Sequence, residues 1–168
     1  LAVVKTAMDE ILPVPMSIQR DNEDREGWTY FLKYLRRACP VLMAQHPYRR
    51  CRSWKLFTFM SDRLKGLPPA LMDVFPNNHT TNCAMHIKRN VTTRFGTRAA
   101  YAVTKISKAY TEAQEEKLFR QVRLESPGAE VYLRTIPADT WRSTAWWTDK
   151  SLPPRFGITT SNISESSN

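Results

Sequence analysis

The chain has 168 residues, 42% of them apolar, which is enough to bury a core and excludes disorder over most of its length. Its formal net charge of +9 at pH 7 attracts polyanions, so nucleic acid is the leading partner, although a merely basic surface would give the same value. No apolar run approaches the roughly 20 residues that cross a bilayer, so no membrane partner is expected. Three cysteines without dense pairing favour a reducing intracellular compartment.

The first predicted elements are two strands, over residues 1–8 and 11–19, joined by a tight turn at Asp9. Pro13 and Pro15 lack the backbone N–H that a sheet ladder needs, so the second strand should lie at an edge or be irregular there. The chain opens directly on apolar residues, and we interpret it as an excerpt that begins inside a structural element.

An amphipathic helix is predicted next. Trp28, Phe31, Leu32 and Leu35 recur at helical spacing, and Pro40 lies where the helix should already have ended. A stripe of this kind indicates packing on a sheet, so we interpret its aromatic residues as core residues and not as a ligand site.

An aromatic-rich strand is predicted over residues 54–60, followed directly by Asp62. An acid in this place matters because open α/β sheets carry their chemistry in the crevice outside the carboxyl ends of the strands. Asp62 is therefore the first catalytic candidate. The alternative is that Asp62 is the N-cap of the next helix, a common role for aspartate, and the pattern alone leaves both open.

Three soft-metal ligands lie within eight residues, after a short helix predicted over residues 67–75: His79, Cys83 and His86. Zinc accepts imidazole and thiolate, but a structural zinc site needs four ligands. A distant residue or a water molecule would have to complete the set. Ordinary packing and hydrogen bonding is the alternative.

The sequence from residue 88 to 125 is predicted to be helical, with a break at Gly96. A long helix from Arg98 onward would carry one apolar side, formed by Ala102, Ile106, Ala109, Ala113, Leu118 and Val122. Two shorter helices are predicted over residues 129–134 and 139–147.

The second of these short helices carries Trp141, Trp146 and Trp147. Aromatic rings beside Arg and Lys can stack on unpaired bases. Core packing is the expected role for at least two of the three tryptophans. The last stretch, from residue 152, is a Pro-Pro loop with a polar end.

A series of short motifs runs through the chain in a fixed order: Ser61-Asp62-Arg63, Lys65-Gly66-Leu67, Phe75-Pro76, His79, Cys83-x2-His86, Asn90 and finally Thr160-Ser161-Asn162-Ile163-Ser164-Glu165-Ser166. Together with residues 11–40, these motifs resemble the core of Mutator-like element (MULE) transposases. The resemblance covers nearly the whole chain, and several spaced motifs are much more specific than any one of them.

The resemblance implies an α/β, ribonuclease-H-like core, here partial, with a helical insertion before the last acidic motif. Three carboxylates in that family hold two divalent ions, and hard oxygen ligands suit Mg²⁺ or Mn²⁺. By resemblance Asp62 is the second catalytic acid and Glu165 the third, and both are metal ligands. Ser167 departs from the family, which usually has a larger apolar residue there.

The first acid of the family lies on a strand before the opening hairpin, so Asp9, in the hairpin turn, does not match it. We therefore expect the chain to be one partial core without its first acid, and to be inactive alone. It would consist of residues 1–92 as the ribonuclease-H-like part, 93–150 as the helical insertion and 151–168 as the final acidic motif.

Further expectations follow from the resemblance. The cysteine and histidine pattern of the family maps to His79, Cys83 and His86, as a zinc site or a structural support. The helical insertion would contact DNA at transposon ends, self-association is a further option, and the compartment would be the nucleus. The expected DNA-contacting residues are Arg98, Lys105, Lys108, Arg120 and Arg123.

Two other interpretations compete with an active transposase core. One is a domesticated or decayed relative that keeps the fold and binds DNA as a transcriptional regulator. The other is an unrelated basic domain with a small zinc site, in which no two carboxylates would converge.

Overall fold

The computed structural model describes residues 2–5, 11–14, 24–45, 58–62, 66–149, 151–152 and 158–160; in 2–5, 11–14 and 38–45 it describes the backbone alone. The described residues up to Thr80 belong to one compact unit and those from Thr81 onward to another. The sequence interpretation placed an internal boundary later, between residues 92 and 93. No helix in the described ranges is long and apolar enough to span a membrane.

The first unit opens with a β-hairpin. Strands β1 (Ala2–Lys5) and β2 (Ile11–Val14) pair antiparallel, with Ala2 opposite Val14 and Lys5 opposite Ile11. The predicted pair of strands is confirmed, although each described strand is shorter than predicted. The predicted turn at Asp9 and the proline at position 15 lie outside the described residues.

Helix α1 (Arg25–Gln45) packs on helix α2 (Leu67–Val74). The prediction that α1 ends before Pro40 is wrong, since the helix continues to Gln45. A proline inside a helix removes one backbone hydrogen bond and crowds the carbonyl four residues before it, at a cost of about 3 kcal/mol. Burial of Phe31, Leu32 and Leu35 on the same helix offsets this cost. The apolar stripe of α1 is confirmed as core, and the buried residues of this unit are Phe31, Leu32, Leu35, Ala70, Leu71, Val74 and Phe75.

Polar contacts also link these two helices. The Arg25 guanidinium donates two hydrogen bonds, of 2.9 and 2.8 Å, to the two carboxylate oxygens of Asp73. Arg36 donates to the Val74 carbonyl at 2.8 Å, at the last residue of α2. The Asp24 side chain accepts from the Gly27 N–H and so caps the start of α1.

Strands β3 (Thr58–Ser61) and β4 (His79–Asn82) form a second two-stranded sheet. The described part of β3 overlaps the end of the predicted aromatic strand. The sequence did not predict β4, because His-Thr-Thr-Asn has no alternation of apolar and polar residues.

The second unit is helical: α3 (Ala84–Phe95), α4 (Thr97–Ala100), α5 (Val103–Ile106), α6 (Glu112–Glu125), α7 (Pro127–Thr135), a 3-10 turn (Ala138–Thr140) and α8 (Ser143–Thr148). The helices enclose one cluster of buried side chains. Its largest members are Ile87, Val91, Val103, Ile106, Phe119, Val122, Leu133, Ile136 and Trp141.

The predicted break at Gly96 is confirmed, and its φ of 90° and ψ of 166° are a conformation that an L side chain rarely adopts. The prediction of one long helix from Arg98 onward is wrong, because three helices, α4, α5 and α6, occupy that stretch. Thr111 is the N-cap residue of α6, where its side chain accepts a hydrogen bond from the Gln114 N–H. A new helix therefore begins after Thr111, and the predicted single helix is interrupted there. The predicted apolar side is thus divided among separate helices, and Ala113 is exposed.

Candidate functional site

Asp62 is the first residue after strand β3, and its side chain is half-buried. The alternative that Asp62 caps the next helix is wrong, because α2 begins at Leu67 and Gly66 occupies its N-cap position. The position after a strand is the one that open α/β sheets use for chemistry. Asp62 therefore keeps its place as the catalytic candidate of the first unit.

Gly66, in the motif Lys65-Gly66-Leu67, lies against the backbone at the start of α1. A Cβ on Gly66 would be 2.4 Å from the Asp24 carbonyl carbon and 2.7 Å from the Arg25 nitrogen. No side chain fits there without moving the backbone, so a glycine lets the chain pass α1 closely between Asp62 and α2. The motif residue thus has a packing reason that the sequence alone did not give.

Glu165 lies outside the described residues, and so does the predicted approach of the Asp62 and Glu165 carboxylates. The segment that leads to Glu165 is described at residues 158–160, where the Ala84 N–H donates to the Thr159 carbonyl at 2.9 Å. Thr159 is buried. This hydrogen bond joins Thr159, the residue before the last acidic motif, to the first residue of α3.

The expected metal site would include Asp62. Asp62 offers a hard carboxylate oxygen, the donor that Mg²⁺ and Mn²⁺ prefer. Within the described ranges, no group of three or more His, Cys, Asp or Glu side chains could hold a metal ion. The donor type at Asp62 fits the expected ions, and the other carboxylates of such a site would have to come from residues outside those ranges.

The cysteine and histidine cluster lies around the start of α3. His79 begins β4, Cys83 is the N-cap residue of α3, and His86 lies in its first turn. The Cys83 side chain is 1% exposed, whereas both histidines are half-buried. These residues do not form a ligand group in the described structure. A zinc site formed with a further ligand stays a prediction.

All five residues predicted to contact DNA are exposed, on α4, on α6, and on or just after α5. Lys105 Nζ lies 4.1 Å from the centre of the Tyr101 ring, which is itself 67% exposed. Arg123 differs, because its Nε is 2.7 Å from Glu130 Oε2. Since Arg123 is already paired with a carboxylate, it is the least suited of the five to bind a phosphate.

Glu130 is held by two guanidinium groups. Arg134 Nε donates to Glu130 Oε1 at 2.9 Å while Arg123 binds the other oxygen. The hydrogen bond from Arg134, helped by the charge of Arg123, holds the pKa of Glu130 below its usual value, although burial opposes the shift. This cluster is a structural feature of α6 and α7.

The three tryptophans near α8 have different environments. Trp141 is 1% exposed and belongs to the core, and the Trp146 indole is half-buried and donates to the Asp139 carbonyl. Trp147 is 53% exposed and stacks on the Tyr110 ring, which is 72% exposed, with ring centres 6.1 Å apart. Sequence reasoning did not single out Tyr101 or Tyr110. The spacing of four residues between Tyr101 and Lys105 was the available signal.

A cavity of about 490 Å³ lies in the second unit beside Glu112, Glu115, Glu116 and Arg142. Arg142 donates to Glu115 at 2.6 Å, and the Thr144 hydroxyl donates to the same carboxylate. Three glutamates at its lining repel phosphate. The cavity is therefore a poor nucleic-acid site, and its buried ion pair has a structural role.

Exposed cations on the helical unit and an acid after a sheet strand are features expected of a nucleic-acid-processing protein. The family model for transposases of the Mutator family matches residues 1–125. The chain therefore belongs to the Mutator family of transposases, which confirms the resemblance. Membership implies DNA as a partner in general terms. The match ends at the last residue of α6, so Glu165 lies beyond it. Neither the curated proteins nor the solved structures gave a significant match.

Proposed function

We propose that the chain is part of a transposase catalytic core of the ribonuclease-H-like kind, which cleaves and joins DNA with divalent metal ions. The observation that carries the proposal is the position of Asp62, directly after β3 and unconnected with the capping of α2. Membership of the Mutator family supports it.

Asp62 and Glu165 would hold the ions, with Asp62 oriented by strand β3. Bound Mg²⁺ or Mn²⁺ supplies activation of the attacking oxygen and stabilisation of the leaving oxygen. The two carboxylates neutralise only part of the charge of two divalent ions, and like charges close together repel strongly. We therefore propose that the chain alone does not cleave DNA and that a third carboxylate completes the site.

DNA contacts in this proposal come from Arg98, Lys105, Lys108 and Arg120 on the helical unit. Their side chains are exposed, and contacts of Lys and Arg with phosphates release condensed counterions. Such contacts position DNA without reading its sequence. The substrate would be the ends of the transposon, in the nucleus.

A nicking assay on supercoiled plasmid with Mn²⁺ tests the proposal. The full-length protein should nick, the chain alone should not, and Asp62→Asn in the full-length protein should lower the rate at least about 100-fold, or ~3 kcal/mol in the barrier. Asp149→Asn is the matched control, because Asp149 is exposed and distant in sequence from the catalytic motifs.

Two results would contradict the proposal. Full-length protein that binds DNA without nicking would favour a domesticated, DNA-binding relative. Nicking by the chain alone that disappears with Asp62→Asn would place the first acid within the chain and return Asp9 to consideration for that role.

A further inference from the structure

The outer face of α1 carries exposed aromatic and basic residues that the core of the first unit does not use. Tyr30 and Tyr34 are 73% and 55% exposed, and Lys33 and Arg37 are exposed beside them. Tyr30 and Tyr34 are one helical turn apart, so they form a patch, and an exposed patch is more informative than a single exposed ring. We refer to Tyr30, Lys33, Tyr34 and Arg37 as the α1 face.

We propose that the α1 face is a binding surface for the phosphate backbone of duplex DNA. The inference rests on the proposed function for the presence of DNA, and it adds a contact outside the helical unit. Lys, Arg and Tyr are among the side chains that commonly donate hydrogen bonds to phosphate oxygens. The α1 face consists of these three residue types alone.

The charges around the α1 face favour a polyanion. The acidic residue Glu26 is exposed in the first turn of α1, one turn before Tyr30. All charged side chains between Tyr30 and Arg37 are positive. Asp73, on the neighbouring helix, is already bound by Arg25 at 2.8 Å. Asp73 also interacts electrostatically with Lys33, but because Arg25 already neutralises this carboxylate, the α1 face keeps a positive charge.

The spacing and rigidity of the α1 face suit a duplex. Lys33 and Arg37 are one helical turn apart, about 6 Å along the axis of α1. Phosphates on one DNA strand follow each other every ~3.4 Å along the duplex axis, so the distance between the two cations is slightly shorter than two phosphate steps. Phe31, Leu32 and Leu35 are buried on the opposite side, and Arg36 is tied to Val74. The four side chains are thus displayed from a helix that is already fixed, so ordering them costs less on binding.

A second copy of the chain is a less suitable occupant. In a two-fold interface the same patch meets itself, so Lys33 and Arg37 of one copy would face the cations of the other. Such a contact brings like charges together, whereas a phosphate backbone compensates them.

Salt-dependent binding of a labelled duplex of arbitrary sequence to the chain tests the inference. The double variant Lys33→Gln/Arg37→Gln should reduce the slope of log K against log salt by about 2. The factor by which affinity falls between about 50 and 200 mM salt should then be roughly ten times smaller for the variant than for the unchanged chain. Tyr30→Phe/Tyr34→Phe, which removes only the hydroxyls, should weaken binding a few-fold at either salt.

Arg89→Gln/Arg94→Gln is the matched control, since it removes the same charge from two exposed positions on α3, which carries no proposed DNA contact. For this control, the slope of log K against log salt should change by less than half as much as it does for the Lys33/Arg37 variant. Unchanged thermal melting by circular dichroism would show that each variant is folded. A Lys33/Arg37 variant that behaves like the control overturns the inference.

Two further measurements separate the inference from the proposed function. If Lys105→Gln/Lys108→Gln weakens binding while the Lys33/Arg37 variant does not, the α1 face is refuted and the helical contacts stand. If the Lys33/Arg37 variant weakens binding in a full-length protein that never nicks, the α1 face stands and the catalytic proposal falls. Analytical ultracentrifugation of the double variant Tyr30→Ser/Tyr34→Ser tests for a second copy of the chain. If the unchanged chain is a dimer, the variant is a monomer and DNA binding is the same, the α1 face binds a second copy and the inference is overturned.

Discussion

Replacing Arg142 with Met should strongly destabilise the helical unit, because it leaves a buried carboxylate without its cation. Arg142 is 17% exposed and its partner Glu115 is 11% exposed, at a separation of 2.6 Å. Breaking a fully buried pair by removing one partner costs about 3–5 kcal/mol. The residual exposure and the hydrogen bond from Thr144 reduce this, so we expect a loss of about 2–4 kcal/mol in the free energy of unfolding.

Urea unfolding followed by circular dichroism measures this loss. In a thermal melt of the same variant, the Tm should fall by about 5–15 °C. Arg123→Met is the matched control, because Arg123 is 67% exposed and its partner Glu130 keeps Arg134. It should cost less than about 1 kcal/mol. Equal losses from the two substitutions would refute the argument that burial decides the effect. A double variant Glu115→Leu/Arg142→Met should be more stable than the sum of its single changes implies.

Two other predictions concern stability. Since the Arg134 hydrogen bond lowers the pKa of Glu130, its stabilisation is present above the usual glutamate value of about 4.3 and is lost as pH falls through the lower folded pKa. Glu130→Gln should therefore flatten the decline in urea stability below about pH 4, and an unchanged decline would contradict this. Gly66→Ala should cost about 1–3 kcal/mol in urea unfolding, because its Cβ would lie 2.4 Å from the Asp24 carbonyl carbon; a neutral effect would show that α1 gives way.

Strong apolar periodicity made most elements of the fold predictable. The stripe of α1, the break at Gly96 and helix α7 follow from spacing and from backbone-limited residues. The single helix predicted over residues 139–147 is wrong, because a 3-10 turn and the separate helix α8 occupy that stretch. The errors fall where these signals are weak. Strand β4 has no apolar alternation, and the continuous helix from Arg98 was predicted because α4, α5 and α6 place apolar residues at compatible intervals.

The candidate site was predictable in its residue types and less so in its surroundings. The sequence named Asp62 and could not decide between catalysis and helix capping, because that choice depends on where α2 begins. Exposure of the basic residues followed from their charge. The pairing of Arg123 with Glu130 did not, because it joins two helices and depends on the angle between them.

The hydrogen bond between Ala84 and Thr159 limits how far Glu165 can lie from the start of helix α3. Glu165 is six residues beyond Thr159 in the sequence, so its Cα lies within about 20 Å of Thr159 even in a fully extended chain. Only Cys83 separates Ala84 from the end of β4. Strand β4 pairs with β3, and Asp62 directly follows β3. If Glu165 is the third acid, as in the proposed function, the six residues after Thr159 limit its distance from the start of α3, whatever the length of the helical unit between residues 84 and 159.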